Sequence, residues 1–288
     1  MTDAAPLPPG LYLVSTPIGA ARDITLRALD ILGTAEVLAA EDTRSLRHLM
    51  QIHAIAPGPR PMLAYHDHNG ARMRPKLLAA LAEGRSVAYA SEAGTPLVAD
   101  PGFQLVRAAV AAGHAVHAAP GASAVLAALA VAGLPTDRFA FLGFAPAQAG
   151  ARANFLAEAA AIPATCVFYE SPRRLARLLA EMVPIFGEGR AAVVCRELTK
   201  RHEEVIRGTL GELATDLAGR EVKGEIVVLT DRPGAVAVAA GDLDAALDAA
   251  LAGESLRAAV DRVASELGLP RRQVYQAALA RQKARDDD

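Results

Sequence analysis

Apolar residues along this chain fall in short runs separated by amphipathic stretches of helical period, the alternation that builds βαβ units around a largely parallel sheet. In the first half, residues 11–15 (LYLVS), 37–40 (VLAA), 62–65 (MLAY), 87–90 (VAYA) and 115–118 (AVHA) read as strands. Between them 24–32, 71–83 and 103–112 place apolar residues on one helical face, with Asp23 as the expected cap of the first. An Ala-rich helix follows and runs to Ala132.

Beyond Pro120 the strands come closer together: 139–143, 165–169, 191–195, 204–208 and 225–229, with helices at 150–161, 172–182 and 209–217. That spacing predicts a mixed sheet, partly antiparallel. Asp231-Arg232-Pro233-Gly234 followed by AVAVAAG reads as a linker, and 242–283 holds three short helical patterns. Ser255 is an expected N-cap there, and Gly268-Leu269-Pro270 forms the turn of a helix-turn-helix-like pattern.

Composition narrows the picture. The 288 residues are 52% hydrophobic but only 4% aromatic, since Ala dominates, which favours close helix packing over an all-β fold. A formal charge of −2 gives no global attraction to duplex DNA, so any RNA contact must come from local basic patches. Cys166 and Cys195 both lie in apolar strands and read as small buried hydrophobes of a reducing compartment. MTDAAPLPPG lacks the basic and apolar regions of a signal peptide, and no run is long enough to span a membrane, so a cytoplasmic protein is expected.

The chemistry collects in loops at strand ends. Thr16-Pro17-Ile18-Gly19, Glu41-Asp42-Thr43-Arg44, SEAGTPLVADPG (91–102) and Pro120-Gly121-Ala122-Ser123-Ala124 would all gather at one edge of a parallel sheet, where α/β proteins bind ligands. Gly94 and Gly102 remove the Cβ atoms that would keep a ligand from the backbone. Small residues suit a flat heterocycle and a zwitterion better than a triphosphate. No Walker A motif is present, and the GEGRAA match at 187–192 precedes a strand where a dinucleotide fingerprint follows one. His66 and His68 share a side of an extended segment but lack a third ligand, so no metal is expected. In the second half, YESPRR (169–174) and CRELTK (195–200) put acids and bases at two further strand ends.

Taken together, LYLVSTPIG…DITLRAL, AAEDTR, SEAGTPLVADPG, PGASA, GLPTDRFAFLGFAP, FYESPRRL, CRELTKRHEE and KGEIVVL resemble the tetrapyrrole-methylase-like superfamily and, within it, the ribosomal RNA small subunit methyltransferase I family. The motifs run in family order over roughly 10–230, and the last helices resemble that family's C-terminal domain. The resemblance implies an α/β fold: a first methylase domain at 1–119, a second at 120–233, a cofactor cleft between them, and a helical domain at 241–283. It implies an S-adenosylmethionine-dependent enzyme that 2′-O-methylates a cytidine of 16S rRNA in the decoding region of the 30S subunit, and a homodimer.

Position by position, the resemblance puts Pro17, Ala93, Gly94, Thr95, Val98, Ser123, Ala124, Glu170, Gly224 and Glu225 against the cofactor. The chain departs from the family pattern at Ala20-Ala21, Glu92, Ala99 and Arg173. A ribose hydroxyl is a poor nucleophile, so a base or cation at the reacting edge would help; Glu41, Asp42, Arg44, Glu197 and Lys200 are the candidates. Arg271, Arg272 and Lys283 are expected to meet rRNA phosphates. Two other readings fit parts of the pattern: a methyltransferase acting on a tetrapyrrole or corrin precursor, and a non-catalytic nucleic-acid-binding regulator that reads with its last helices.

Overall fold

The computed structural model describes residues 6–234, 240–267 and 271–286. Among the described residues, ten strands form two five-stranded sheets. The first takes β1 (Gly10–Val14), β2 (Val37–Ala40), β3 (Met62–Ala64), β4 (Ser86–Ala90) and β5 (Val116–Ala119) in the order β3-β2-β4-β1-β5, every neighbour parallel. Parallel strands require crossovers, and α1 (Leu26–Thr34), α2 (Thr43–Ile52), α3 (Gly70–Ala82) and α4 (Phe103–Ala111) supply them. One core lies on each face: Ile31, Leu32, Leu38 and Met50 on one side, Leu77, Tyr89 and Leu105 on the other, all 2% exposed or less.

Next, α5 (Ala124–Ala132) leaves β5 and lies on the second sheet. Its Val125, Ala128, Leu129 and Ala132 pack with Ile18 from the first unit and with Val167, Val193, Val227 and Leu229 from the second, so one core binds both units. The second sheet joins β6 (Phe139–Phe144), β7 (Thr165–Glu170), β8 (Ala191–Arg196), β9 (Glu204–Thr209) and β10 (Ile226–Thr230) in the order β6-β7-β10-β8-β9. Only β6 and β7 run parallel; the other three pairings are antiparallel, the mixed sheet that the strand spacing predicts. Its other face is covered by α6 (Ala149–Ala160), α7 (Pro172–Phe186) and α8 (Leu210–Leu217).

Local chemistry corrects three expectations. Asp23 ends a short 3-10 turn, and Thr25 caps α1 instead, its hydroxyl accepting from the Ala28 N–H. Residues 43–52 form a helix that the strand-loop reading of this region omitted, started by Asp42. Helix α7 continues past Met182 through Pro184 to Phe186, because Leu178, Leu179, Met182 and Phe186 keep a buried face over its whole length.

At the C-terminal end α9 (Ala240–Leu251), α10 (Leu256–Leu267) and α11 (Arg271–Asp286) enclose Leu247, Ala259, Val260, Val263, Val274 and Ala278. Ser255 accepts from the Ala258 N–H, the N-cap expected there. The middle of the linker (235–239) and the turn at 268–270 lie outside the described residues. No helix among the described residues is long and apolar enough to cross a membrane.

Candidate active site

Because the first sheet is parallel, the loops after β1, β4 and β5 emerge side by side at its carboxyl edge, and hydrogen bonds tie them together. Thr16 and Gly94 form an isolated antiparallel bridge. The Thr16 hydroxyl donates to the Ser91 carbonyl at 3.2 Å, and the Ser91 hydroxyl to the Gly94 carbonyl at 2.5 Å. Thr95 Oγ1 donates to the Ala122 carbonyl at 3.1 Å, which links the loop after β4 to the one after β5. Gly94 has φ +83°, a left-handed geometry natural only to glycine.

A cavity of about 380 Å³ opens against these loops and is closed on the far side by the second sheet. Ala93, Gly94, Thr95 and Val98 line it from the loop after β4, and Ser123 and Ala124 from the start of α5. Glu170, Gly224 and Glu225 line it from the second unit. Of the expected cofactor residues, Pro17 alone faces elsewhere, in an adjoining cavity with Thr16, Ser91 and Glu92. Ile18, from the loop after β1, and Phe144, Tyr169, Ile226 and Val227, from the second sheet, complete an apolar wall. The Phe144 and Tyr169 rings meet edge to face, 5.6 Å between centroids.

Glu170 is 3% exposed, a buried acid at the end of β7. One carboxyl oxygen accepts from the Ser171 N–H at 2.8 Å and has the Arg174 guanidinium at 3.2 Å. The other, Oε2, is buried and has no partner among the described residues. A buried acceptor left open beside a cavity calls for a donor from a ligand.

The two charged turns fall in different surroundings, and no hydrogen bond or ion pair joins them among the described residues. Asp42 is the N-cap of α2: it accepts from the Arg44 N–H at 2.7 Å and pairs with the Arg44 guanidinium at 2.7 Å. The Arg44 side-chain and backbone hydrogen bonds pull the Asp42 carboxyl down to about 2. Glu41 is held above the usual range by burial, then by Glu92 and Asp67, with His66 opposing.

Lys200 sits between Glu197 Oε1 at 3.0 Å and Glu225 Oε2 at 2.9 Å. Desolvation lowers its pKa, but hydrogen bonds to Glu225 and Glu197 outweigh it and hold the amine above the lysine range. Glu197 is depressed, first by the Glu225 N–H and then by Lys200. Thr199 accepts from the Ala20 N–H at 3.1 Å, so this turn clasps the loop after β1 to the start of β10. An acid near 2 and a lysine raised by two carboxylates are both poor proton acceptors at neutral pH, so the surroundings of Asp42 and Lys200 argue against the base expected of them.

Asp100, in the same loop and not among the expected site residues, lines the main cavity. It also lines a second cavity of about 250 Å³ over the ends of β3 and β4, with His66, Asp67 and Arg74. The signal lay in SEAGTPLVADPG itself, whose one acid beyond Glu92 stands between Ala99 and Pro101 near the loop's end. Of the departures, Ala99 lines the main cavity and Arg173 lies exposed on α7.

Comparison with known proteins gives consistent relations. Residues 10–214 match the family model of tetrapyrrole (corrin/porphyrin) methylases, and 237–282 match the RsmI C-terminal HTH domain. The chain is 50% identical over 242 residues to ribosomal RNA small subunit methyltransferase I of Mesorhizobium japonicum, covering 84% of this chain and 81% of that protein. It is 47% identical over 224 residues to the protein of the same name from Xylella fastidiosa, covering 77% and 81%. Among solved structures, uroporphyrin-III C-methyltransferase of Thermus thermophilus in complex with S-adenosyl homocysteine has the same fold. Its TM-score is 0.53 at 22% identity, covering 76% of this chain and 96% of that one.

Proposed function

The chain belongs to the ribosomal RNA small subunit methyltransferase I family of the tetrapyrrole methylases, and from that premise we propose that it methylates the 2′-oxygen of a cytidine in 16S rRNA. Membership makes it an S-adenosylmethionine-dependent methyltransferase of small-subunit ribosomal RNA. The cytidine 2′-hydroxyl, the 30S subunit as the form of substrate, a homodimeric state, a cytoplasmic site of action and the domain limits 1–119, 120–233 and 241–283 are our assignments.

The observation that carries the reading is the convergence of the loops after β1, β4 and β5 with Glu170 and Gly224–Glu225 on one apolar cavity. The cavity fits the cofactor. Ile18, Tyr169, Ile226 and Val227 suit a flat purine, and Gly94, with its positive φ, leaves backbone open to a ligand, whereas the missing side chain of Gly224 makes room for Glu197. The open Glu170 Oε2 would accept from the cofactor's hydroxyl or ammonium donors. Ser123 and Ala124 stand at the N-terminus of α5, where free backbone amides favour the carboxylate end. When bound, S-adenosylmethionine supplies an already activated methyl group.

The protein's own part is alignment. The bridged loops hold the cavity walls still, so that acceptor oxygen and methyl carbon can meet in line, an arrangement worth several powers of ten. Arg44, 88% exposed, would face the RNA backbone, and the Glu197–Lys200–Glu225 clasp would fix the second-sheet wall. A corrin or porphyrin acceptor is disfavoured by the basic α2 and by the 237–282 match. Calorimetry with S-adenosylmethionine tests the reading first: one site per chain is expected, and none is the result expected of a non-catalytic RNA-binding regulator. Label transfer to 30S subunits, with none to a tetrapyrrole precursor, then separates the two enzyme readings.

A further inference from the structure

The bridge partners Thr16 and Gly94 face two different cavities. Gly94 lines the cofactor cavity, and Thr16 lines the adjoining one, of about 290 Å³. The two spaces therefore stand back to back across one pair of backbone hydrogen bonds. One wall of the adjoining cavity is α2. Ser45, His48, Leu49 and Ile52 fall at helical spacing and line it as a single stripe, while Leu46 and Met50 are buried in the core. Pro17 and Ala21 of the loop after β1 and Glu92 of the loop after β4 supply further walls. The result is a slot between a helix and two loops, apolar at Pro17, Leu49 and Ile52 and polar at Ser45, His48 and Glu92.

These groups are free to bind. Ile52 leaves 51% of its surface uncovered, and the side chains of Ser45, His48 and Glu92 make no hydrogen bond or ion pair among the described residues. The Arg44 guanidinium, on which Glu92 acts, is bound to Asp42 instead. Uncovered apolar surface flanked by free polar groups suits a planar ring with a polar edge. Helix α2 adds the charge that RNA requires, since it carries Arg44 and Arg47 and no acid between Thr43 and Ile52.

We propose that this slot receives a guanine that neighbours the methylated cytidine in the RNA strand, and that the Glu92 carboxylate reads it. The proposal rests on the function proposed above. A ribose presented at the cofactor cavity brings the next base of its strand to a slot just across the bridge. Among the four bases only guanine offers two adjacent N–H donors on one edge, N1–H and the N2 amino group, and a carboxylate meets them with two acceptors. Adenine and cytosine set an acceptor beside their amino group, and uracil flanks its one N–H with two carbonyls, so each turns an acceptor toward Glu92. Pro17, Leu49 and Ile52 cover the ring, and Arg44 and Arg47 meet the flanking phosphates.

Methyl transfer to unmodified 30S subunits, rebuilt with each of the four bases on either side of the target cytidine, tests this. On one side, guanine should exceed the other bases by about tenfold or more in kcat/KM. Glu92→Gln keeps the shape but offers one acceptor beside a donor, so that preference should shrink to about threefold or less. Ile52→Ser should raise KM for 30S about fivefold with kcat little changed. Both variants should keep S-adenosylmethionine affinity within about threefold, because the cofactor lies beyond the bridge. Equal rates for all bases on both sides overturn the slot. A preference undiminished in Glu92→Gln overturns the role of Glu92, and Ile52→Ser with unchanged KM overturns the α2 wall. Methyl NMR of the protein saturated with S-adenosylhomocysteine gives a reading without catalysis. Guanosine monophosphate should shift the Ile52 methyl resonances, and inosine monophosphate, which lacks the N2 amino group, should shift them less; no shift with the guanosine probe overturns the slot. If wild type binds S-adenosylmethionine but labels none of these subunits, the function proposed above fails and the rRNA assignment of the slot with it, while a shifted Ile52 keeps the guanine site.

Discussion

Thr16 and Gly94 exchange two backbone hydrogen bonds, Thr16 N–H to the Gly94 carbonyl at 2.9 Å and Gly94 N–H to the Thr16 carbonyl at 3.0 Å. The pair holds the loop after β1 against the loop after β4 at the wall of the cavity. With φ at +83°, any side chain at position 94 strains this bridge before it reaches the ligand. Gly94→Ala should lower stability by about 1–2 kcal/mol, the usual penalty for a left-handed L-residue, measured by urea unfolding. Gly94→Val mixes that strain with lost ligand space, so on its own it cannot locate the cofactor.

Ala93 separates the two effects. It is exposed toward the cavity, and its neighbour Gly94 carries the bridge. Ala93→Trp should leave the melting temperature within about 2 °C and abolish S-adenosylmethionine binding in calorimetry. Unchanged affinity in a folded Ala93→Trp protein would place the cofactor elsewhere.

Lys200 is the shared cation of Glu197 and Glu225. Lys200→Met leaves both carboxylates without it, so Gly224–Glu225 should loosen and cofactor affinity fall about tenfold. The pH dependence has a definite sign. Glu197 is depressed in the folded protein, so its contribution is full above the unfolded glutamate value and is lost as pH falls through the folded one. The stability gap between wild type and Lys200→Met should therefore be wide at neutral pH and narrow in acid, as thermal melts at several pH values would show.

Asp42 should tolerate replacement by asparagine. Asn is as good an N-cap as Asp, and a carboxyl near 2 is already a spectator to proton transfer at neutral pH. Asp42→Asn should stay within about threefold of wild type in single-turnover methylation, short of the ~100-fold that losing a base brings. Loss on that larger scale would return Asp42 to the reaction.

Most of the strands among the described residues were legible because they are short apolar runs closed by Gly, Pro or a charged turn. Helix α2 was missed although Leu46, Leu49 and Met50 fall at helical spacing, because its start, Asp42, drew attention as chemistry while it serves as a cap. The loops that meet at the cavity were readable from parallel topology, which gathers strand ends at one edge. Its opposite wall was not: Tyr169, Ile226 and Val227 alternate as any strand residues do, and only α5 crossing to the second sheet turns that face toward the loops. Asp100 escaped notice because its burial is a tertiary effect and one of the acids facing it, Glu41, comes from a different strand end.

The C-terminal helices divide the expected phosphate contacts. Arg271 pairs with Asp261, and Arg281 pairs with Asp244 and Asp248. Arg272 is exposed, with no ion pair among the described residues, and the Lys283 side chain lies outside them. Arg272→Ala should therefore reduce the salt slope of rRNA binding by about 0.7–0.9, one phosphate contact, and Arg271→Ala by less. Deleting 235–288 should flatten the slope further and leave S-adenosylmethionine affinity unchanged. An unchanged slope in the deletion would assign these helices another role.

The most direct test is methyl transfer itself. Purified protein, methyl-labelled S-adenosylmethionine and 30S subunits from cells lacking this modification should give one label per subunit, recovered after digestion as 2′-O-methylcytidine. Label on a base atom, on a tetrapyrrole precursor alone, or on nothing at all would contradict the account.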